Sequence, residues 1–152
     1  MALFVFTEKM LKGEPVPIYN QGELERDFTY VDDIVEGVLR VTEDITQPDP
    51  DWDARSPDPA TSNAPFRILN IGNNQPVPLL DFIEALEDAL GRKAIKDLLP
   101  MQPGDVKRTH ADVSLLKSTI NYNPTTSVRE GVGKFVDWYR EFYGVPAKEP
   151  ST

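Results

Sequence analysis

The segment Phe66–Gly72, FRILNIG, constrains the fold of this chain more than any other feature. Its apolar residues are nearly continuous, whereas a strand with one solvated face alternates apolar and polar residues. Such a run is typical of a strand that is buried on both faces of a parallel sheet. Helical patterns stand on either side of it, so the sequence predicts an α/β fold with a parallel sheet.

Hydrophobic periodicity and capping residues predict the other elements. Extended segments are expected at Val16–Tyr19, Glu25–Val31 and Ala94–Leu99. Helices are expected over residues 2–12, from Asp32 as N-cap, from Pro78 to Gly91, after Asp112, and from a Ser127/Glu130 capping box to Gly144. The helix after Asp32 is predicted to have one apolar face, formed by Ile34, Val35, Val38, Leu39 and Val41.

The first helix, over residues 2–12, is apolar on all sides in its first turn and a half, and no polar residue precedes it as a cap. This favours a helix that starts inside a longer polypeptide, so we expect the chain to be a fragment. A frayed terminal helix of a complete small protein is the alternative. A fragment predicts an exposed apolar patch around Ala2, Leu3, Phe4 and Phe6.

Residues 46–65 contain five prolines, four aspartates and almost nothing to bury. A connection this long predicts a disordered insertion, with a surface lid as the alternative. We therefore expect one lobe over residues 1–145 that carries this insertion, followed by a tail over residues 146–152.

Composition excludes several classes of function. The chain has 152 residues, no cysteine, His110 as its one histidine, and a net charge of −9. The lack of cysteine excludes disulfides, thiolate metal sites and cysteine nucleophiles, and it fits a reducing compartment, so we expect a cytoplasmic protein without a metal site. The acidic excess disfavours nucleic acid and anionic membrane surfaces as partners. The longest apolar run, Met1–Phe6, is far shorter than the roughly 20 residues of a membrane span.

Five segments of the chain carry a family resemblance. They are MALFVFTEKML, PVPIYNQGELERDFTYVDDIVEGV, ILNIGNNQPVPLLDFIEALEDALG, LLPMQPGDVKRTHAD and NYNPTTSVREGVGKFVDWYREFY, in this order. Together they resemble the C-terminal part of the extended short-chain dehydrogenase/reductase enzymes that act on nucleotide sugars, and UDP-glucuronate 4-epimerase is the most similar branch. The motifs RDFTYVDDIVEG and MQPGDV make this resemblance fairly specific.

The resemblance implies an NAD-dependent enzyme with two parts, an N-terminal Rossmann domain that holds NAD and a smaller C-terminal lobe that closes over the substrate's nucleoside diphosphate. This chain resembles the lobe, a small mixed sheet with helices, without the Rossmann half. It lacks the GxxGxxG fingerprint, and none of its five tyrosines has a lysine four residues later, so the catalytic YxxxK motif is absent. We therefore expect no NAD on this chain alone, and a UDP-sugar and the missing Rossmann domain as partners.

Arg26, in ERDFTYVDD, matches the family arginine that binds the diphosphate. A guanidinium fork suits phosphate oxygens better than an ammonium does. The alternative for Arg26 is a surface ion pair with Glu23, Glu25 or Asp27.

Pro17 and Tyr19 match positions whose backbone groups meet uracil in the family, and the Tyr19 ring is expected to lie against the base. A buried strand aromatic is the alternative for Tyr19. Asp32 and Asp33 are interpreted as helix-start residues rather than as a metal site, and His110 is given no catalytic role.

The MQPGDV loop adds three substrate-binding candidates, Gln102, Asp105 and Thr109. Asp105 resembles the family aspartate near the ribose hydroxyls, and a turn residue is its alternative. Gln102 stands where the galactose-epimerase branch has an arginine for the diphosphate, which agrees with the glucuronate branch and removes one positive charge. A solvated basic turn is the interpretation favoured for Lys107 and Arg108.

The resemblance thus predicts the UDP-sugar-binding portion of an NAD-dependent nucleotide-sugar epimerase that inverts C4 through a 4-keto intermediate. The chain is expected to be inactive alone, and the full enzyme to be a homodimer. A related nucleotide-sugar dehydratase or decarboxylase and a non-catalytic stand-alone binding module are the alternatives.

Overall fold

The computed structural model describes residues 2–146. Residues 147–152 of the predicted tail lie outside the described residues. Within them the helices are α1 (Ala2–Lys12), α2 (Val31–Glu43), α3 (Leu79–Leu90), α4 (Ser114–Ile120) and α5 (Val128–Tyr143). The strands are β1 (Val16–Ile18), β2 (Glu25–Arg26), β3 (Val77–Pro78) and β4 (Lys96–Leu98), and a 3₁₀ turn covers Tyr19–Gly22. β1 pairs with β4 in parallel, and β2 pairs with β3 antiparallel. The prediction of a mixed α/β fold with small sheets is confirmed.

The main core lies around α3. Its Ile83, Leu86 and Leu90 have almost no exposed surface. Ile18 of β1 and Val136 of α5 are buried in the same cluster. The helical spacing of apolar residues in α3 and α5 is therefore explained by their burial against each other and against β1.

The predicted helix ends of α3 and α5 are confirmed. The Ser127 hydroxyl accepts a hydrogen bond from the backbone N–H of Glu130 at 3.2 Å. Gly91 and Gly144 adopt the left-handed conformation at the C-caps of α3 and α5. The prediction that Asp112 caps α4 is one residue off, since the N-cap position is Val113, although the Asp112 carboxylate accepts from the backbone N–H of Ser114, the first residue of α4, at 2.9 Å.

The prediction that Asp32 caps α2 is wrong. The helix begins at Val31, so its N-cap position is Tyr30, two residues earlier than predicted, and no side-chain cap bond is formed there. Asp32 and Asp33 lie in the first turn, where carboxylates complement the positive end of the helix dipole. The Asp33 carboxylate also accepts from the backbone N–H of Thr126 at 3.1 Å and so ties the start of α2 to the segment before α5.

A buried carboxylate joins α3 to β4. Glu87 accepts hydrogen bonds from the ammonium groups of Lys93 and Lys96, at 2.7 and 3.0 Å, and from the backbone N–H of Ala94 at 3.0 Å. Burial alone would raise the pKa of the Glu87 carboxyl, but these donors outweigh burial and lower the pKa from 4.5 to about 2. The charged form of Glu87 therefore stabilises the folded chain.

Thr7 of α1 is fully buried, and its hydroxyl has no hydrogen-bond partner among the described residues. A buried unpaired hydroxyl costs about 1–3 kcal/mol, and valine has nearly the same shape without that group. We expect Thr7→Val to raise the free energy of unfolding by about 1 kcal/mol, measured by urea denaturation. The control is Thr42→Val on α2, whose hydroxyl donates to the Leu39 carbonyl at 2.6 Å. A Thr7→Val variant less stable than the parent chain would contradict the prediction.

The segment Phe66–Gly72 is not a strand, which corrects the main prediction made from its pattern. Arg67 forms an isolated bridge with Thr61, and both Phe66 and Ile68 are exposed. A doubly buried strand needs neighbours for its N–H and C=O groups and a covering layer on each face. The described residues supply only the Thr61 bridge, so the parallel sheet consists of β1 and β4 instead.

The other extended segments are shorter than predicted. Only Glu25–Arg26 of the segment over residues 25–31 forms a strand, and Tyr19 belongs to the 3₁₀ turn that follows β1. In residues 94–99 the paired part is Lys96–Leu98. The sheets end where the chain turns away from its neighbour, a tertiary condition that local propensity does not contain.

The apolar residues of α2 lie along one face of the helix, as predicted, but only one edge of that face is covered. At that edge Val41 packs against a second buried cluster, formed by Val113, Leu116 and Tyr122. Elsewhere on the face four apolar side chains are exposed. We call them the α2 face: Val31, Val35, Val38 and Leu39.

The apolar patch predicted around α1 is only partly exposed. Phe6 is buried, Leu3 and Phe4 are half-buried, and Ala2 is exposed. Phe4 makes an edge-on contact with Phe135 of α5, with ring centroids 4.9 Å apart. The α2 face is therefore more fully uncovered than the apolar residues at the chain start.

The aromatic residues at the end of α5 recur at a helical spacing that is typical of a buried face, but they are exposed. Trp138, Phe142 and Tyr143 are all exposed. Trp138 and Phe142 stack on each other with centroids 5.3 Å apart.

Residues 46–65 form no helix or strand, and aspartate side chains close a series of turns there. The carboxylates of Asp49, Asp53 and Asp58 each accept from the backbone N–H two residues later. That this segment is a disordered insertion stays a prediction. Over residues 2–146, no helix combines the length and the apolar character that a membrane crossing requires.

Candidate nucleoside diphosphate site

The loop over residues 102–109 runs alongside β2. The backbone N–H of Glu25 donates to the carbonyl of Lys107 at 2.9 Å, and the N–H of Thr109 donates to the carbonyl of Glu25 at 3.2 Å. These two bonds bring Arg26 beside Asp105, although 79 positions separate them in the sequence. The fold therefore joins two of the predicted substrate-binding residues.

Three acceptors hold the Arg26 guanidinium. Its Nη2 donates to Oδ1 of Asp105 at 2.8 Å, and its Nη1 donates to the carbonyls of Glu25 and Lys107 at 2.9 and 3.3 Å. The side chains of the ion pair are 22% and 30% exposed, respectively. The predicted alternative, an ion pair of Arg26 with a carboxylate of its own segment, is wrong because its acidic partner is Asp105.

Both members of this ion pair keep hydrogen-bonding capacity. A guanidinium has five N–H donors, and the described residues accept from neither Nε of Arg26 nor the second N–H of Nη2. Oδ1 of Asp105 also accepts from the backbone N–H of Val106 at 2.8 Å, while no described residue donates to its Oδ2. Two cationic donors and one anionic acceptor are thus available side by side.

Asp27, which was predicted only as an alternative ion-pair partner of Arg26, connects the segments beside this site. Its carboxylate accepts from the backbone N–H groups of Ala111, Asn74 and Gln75, at 2.9, 3.1 and 3.4 Å. It thereby ties β2 to two separate loops. Its partners are backbone N–H groups, which the residue types in the sequence do not reveal.

Thr109 supports the same framework. Its hydroxyl accepts from the backbone N–H of Asp27 at 3.0 Å, so the side chain holds the loop against the strand. Arg108 pairs with Glu25 at 3.1 Å, and both Lys107 and Arg108 are exposed, as expected for a solvated basic turn. Nε2 of His110 forms a hydrogen bond with Oδ1 of Asn74 at 2.6 Å.

The structure does not gather the other three candidates around Arg26. Pro17 lies opposite Asp97 in the β1–β4 pair, and Tyr19 packs against the main core. Gln102 is exposed, and its carbonyl closes the turn before Asp105. No hydrogen bond or ring contact within residues 2–146 joins these side chains to Arg26, and their contact with a nucleotide stays a prediction.

An apolar cavity of about 460 Å³ opens between α1, α3, α5 and the segment that leads into α2. Phe28 and Phe82 stack in its wall with centroids 4.1 Å apart. Val31 lines the cavity and also belongs to the α2 face. The cavity and the α2 face therefore form one continuous apolar surface.

The described residues do not fit NAD. A dinucleotide requires a glycine-rich turn between a strand and a helix N-terminus. Gly131 and Gly133 lie inside α5, and a methyl group on Gly131 would come within 3.2 Å of the Tyr30 ring, so this glycine serves packing. Burial also raises the pKa of the Tyr30, Tyr122 and Tyr139 hydroxyls, the opposite direction from the one that a tyrosine base needs.

Comparison with known families gives a match to the NAD dependent epimerase/dehydratase family over residues 1–53. This range contains β2, with Arg26 and Asp27, and α2.

Individual relatives align over nearly the whole chain. An uncharacterized 37.6 kDa protein from Escherichia coli O111:H- is 51% identical over 95% of this chain and 43% of its own length. A probable UDP-glucuronate 4-epimerase from Rhizobium meliloti is 44% identical over 94% of this chain and 42% of its own length.

A solved structure agrees with these sequence matches. The UDP-glucuronic acid 4-epimerase from Bacillus cereus, in complex with UDP-glucuronic acid and NAD, has a TM-score of 0.74 and 29% identity over 94% of this chain and 40% of that chain. The chain thus spans about two fifths of the length of these relatives. In sequence and in fold, the chain matches the NAD dependent epimerase/dehydratase family and corresponds to the C-terminal part of its nucleotide-sugar epimerases.

Proposed function

We propose that this chain binds the nucleoside diphosphate of a UDP-sugar, as the substrate-binding lobe of an NAD-dependent UDP-glucuronate 4-epimerase. The observation that carries the proposal is the Arg26–Asp105 pair, in which a held guanidinium keeps two N–H donors and the carboxylate keeps one oxygen. The sequence and structural likeness to UDP-glucuronate epimerases supports the choice of ligand.

Each group has a defined task in this proposal. The free N–H groups of Arg26 donate to diphosphate oxygens, where a charge-assisted pair is stronger than a neutral one. Oδ2 of Asp105 accepts from the vicinal hydroxyls of the ribose. Local placement of the cation matters because the chain as a whole carries a net charge of −9 and repels anions.

The remaining functions of the epimerase belong to the part of the relatives that this chain does not span. NAD would supply the hydride chemistry at C4 there, together with the tyrosine base. The α2 face and the adjoining cavity are the surface on which that part would pack, because they form the continuous uncovered apolar surface described above. Homodimer formation and a cytoplasmic location stay predictions.

Thermal unfolding with UDP tests the proposed binding. At a UDP concentration ten times Kd, the native chain gains about 1.4 kcal/mol, which raises Tm by about 3–5 °C. We expect Arg26→Ala to abolish the shift. Arg129→Ala is the matched control, because Arg129 forms an exposed ion pair with Glu84 on α3 and should leave the UDP shift unchanged. An equal shift in the parent chain and in Arg26→Ala would contradict the assignment of Arg26.

Turnover distinguishes the lobe from an autonomous enzyme. We expect the purified 152-residue chain, with NAD added, to leave UDP-glucuronate unchanged, because the YxxxK motif is absent and the described residues do not fit NAD. NMR of the sugar anomeric proton measures the conversion. Appearance of the C4 epimer would overturn this prediction while leaving the UDP-binding site in place.

A further inference from the structure

We propose that Asp105 is a positioning residue for Arg26, and that it acts on diphosphate binding through the orientation of the guanidinium in addition to any contact with ribose. This inference rests on the proposed function, since it concerns how the same site recognises its anionic ligand. Its physical basis is that the two oxygens of one carboxylate have different surroundings.

Oδ1 is the structural oxygen of Asp105. It accepts from Nη2 of Arg26 at 2.8 Å and from the backbone N–H of Val106 at 2.8 Å. The bond from the Val106 N–H fixes the carboxylate on its own loop. The bond from Nη2 then fixes the guanidinium relative to that carboxylate. Oδ2 receives no bond from the described residues and is the oxygen left for a ligand.

The other two acceptors of Arg26 cannot replace this carboxylate. Both are neutral carbonyls that bind Nη1, and the contact with Lys107 is long at 3.3 Å. A bond to a charged acceptor is roughly twice as strong as a neutral one. Without Asp105, Nη2 would lose its one described acceptor, and the guanidinium would be held only by the two neutral carbonyls that bind Nη1.

A held arginine binds an anion more tightly than a mobile one does. An arginine side chain loses much rotamer freedom when it is fixed, and a fixed guanidinium has lost this freedom before the ligand arrives. The negative charge of Asp105 acts in the opposite direction, because it repels the incoming phosphate. A single substitution therefore mixes two effects, and the experiment must separate them.

Two variants of Asp105 separate charge from position. Asp105→Asn and Asp105→Ala both remove the charge, but asparagine keeps an oxygen that accepts from Nη2 and from the Val106 N–H. Pyrophosphate is the probe, because it lacks the ribose. We expect calorimetric titration of the full chain to give at least fivefold tighter pyrophosphate binding to Asp105→Asn than to Asp105→Ala. Equal affinities would overturn the proposal.

The same pair of variants in an Arg26→Ala background completes a double-mutant cycle. We expect the difference between the asparagine and alanine variants to disappear there, because no guanidinium remains to be positioned. A difference that persists would assign the effect to the loop itself and overturn the proposal. Thermal melting of each variant checks that it is folded.

A measurement without ligand keeps this inference distinct from the proposed function. ¹⁵N relaxation of the Arg26 Nε–H group should report an ordered side chain in the parent chain and in Asp105→Asn, and a mobile one in Asp105→Ala. If that pattern is found but neither UDP nor pyrophosphate binds the parent chain, the proposed function fails and the positioning role stands. Equal mobility of Arg26 in all three chains would overturn the positioning role.

Discussion

We expect Glu87→Ala to lower the free energy of unfolding at pH 7 by about 2–3 kcal/mol. The Glu87 side chain is 3% exposed and receives three hydrogen bonds from Lys93, Ala94 and Lys96, so its loss leaves the junction of α3 and β4 without its central acceptor. The two lysines reach solvent, which keeps the effect below that of a fully buried ion pair. Urea denaturation measures the change.

The control for this prediction is Glu84→Ala, one turn earlier on α3. Glu84 is exposed and pairs with the exposed Arg129 at 3.3 Å, so its removal should change stability by less than about 1 kcal/mol. Equal effects of the two substitutions would show that burial of the Glu87 carboxylate does not contribute to stability.

The Glu87 contribution also depends on pH in a defined direction. Because the pKa of this carboxyl is lowered from 4.5 to about 2 in the folded chain, its stabilisation is fully present above pH 4.5. It is lost as pH falls through the interval from 4.5 to about 2. The stability difference between the parent chain and Glu87→Gln should therefore be constant from pH 7 to 5 and shrink toward pH 2. A difference that does not change over this interval would contradict the pKa assignment.

The second large effect is expected at Gly72. A methyl group on Gly72 would overlap the Cβ of Ala111 and lie 3.3 Å from Oδ2 of Asp27, so Gly72→Ala must push the two loops apart at the bonds that Asp27 makes. Such overlap costs about 2–4 kcal/mol. Because the displaced segment continues directly from Thr109, which holds the loop against β2, we also expect the UDP-induced Tm shift to be lost.

Gly133→Ala is the matched control for this substitution. Gly133 lies inside α5, and a methyl group there would meet nothing within 4 Å. Alanine favours a helix interior over glycine by about 0.5–1 kcal/mol, so this variant should be slightly more stable than the parent chain and bind UDP normally. Thermal melting with and without UDP compares both variants. A Gly72→Ala chain as stable as Gly133→Ala would refute the close approach of the two loops.

Local patterns were sufficient for the ends of α3 and α5. Gly91, Ser127 and Gly144 end or begin their helices where the sequence predicts, because caps satisfy backbone groups within a few residues of themselves. The core positions of α3 follow from the same local periodicity.

Patterns that depend on a distant neighbour were less informative. The apolar run over residues 66–72 and the aromatic end of α5 both read as buried, yet Phe66, Ile68, Trp138 and Phe142 are exposed. A hydrophobic side chain favours burial, but its residue type does not indicate which part of the fold will cover it. The described residues provide no layer over these side chains.

The candidate site also combines features that the sequence predicted with features that it did not. The resemblance identified Arg26 and Asp105 separately, but neither their ion pair nor the role of Asp27 could be predicted. Asp27 acts through the backbone N–H groups of residues 47, 48 and 84 positions away, and backbone donors carry no signal in the residue type. Pro17 and Tyr19 make no contact with Arg26 because β1 and its turn pack against the main core rather than against β2.

For this protein, the sequence by itself determined the boundaries of α3 and α5, the main buried face of α3 and the acidic charge that makes a local arginine necessary for anion binding. Only the tertiary structure decided that the loop over residues 102–109 lies against β2, that Asp105 fixes Arg26, and that one side of α2 is left uncovered. The reason is physical. Helix propensity and capping act over a few residues, whereas strand neighbours, ion pairs and apolar contacts are selected by the packing of the whole chain.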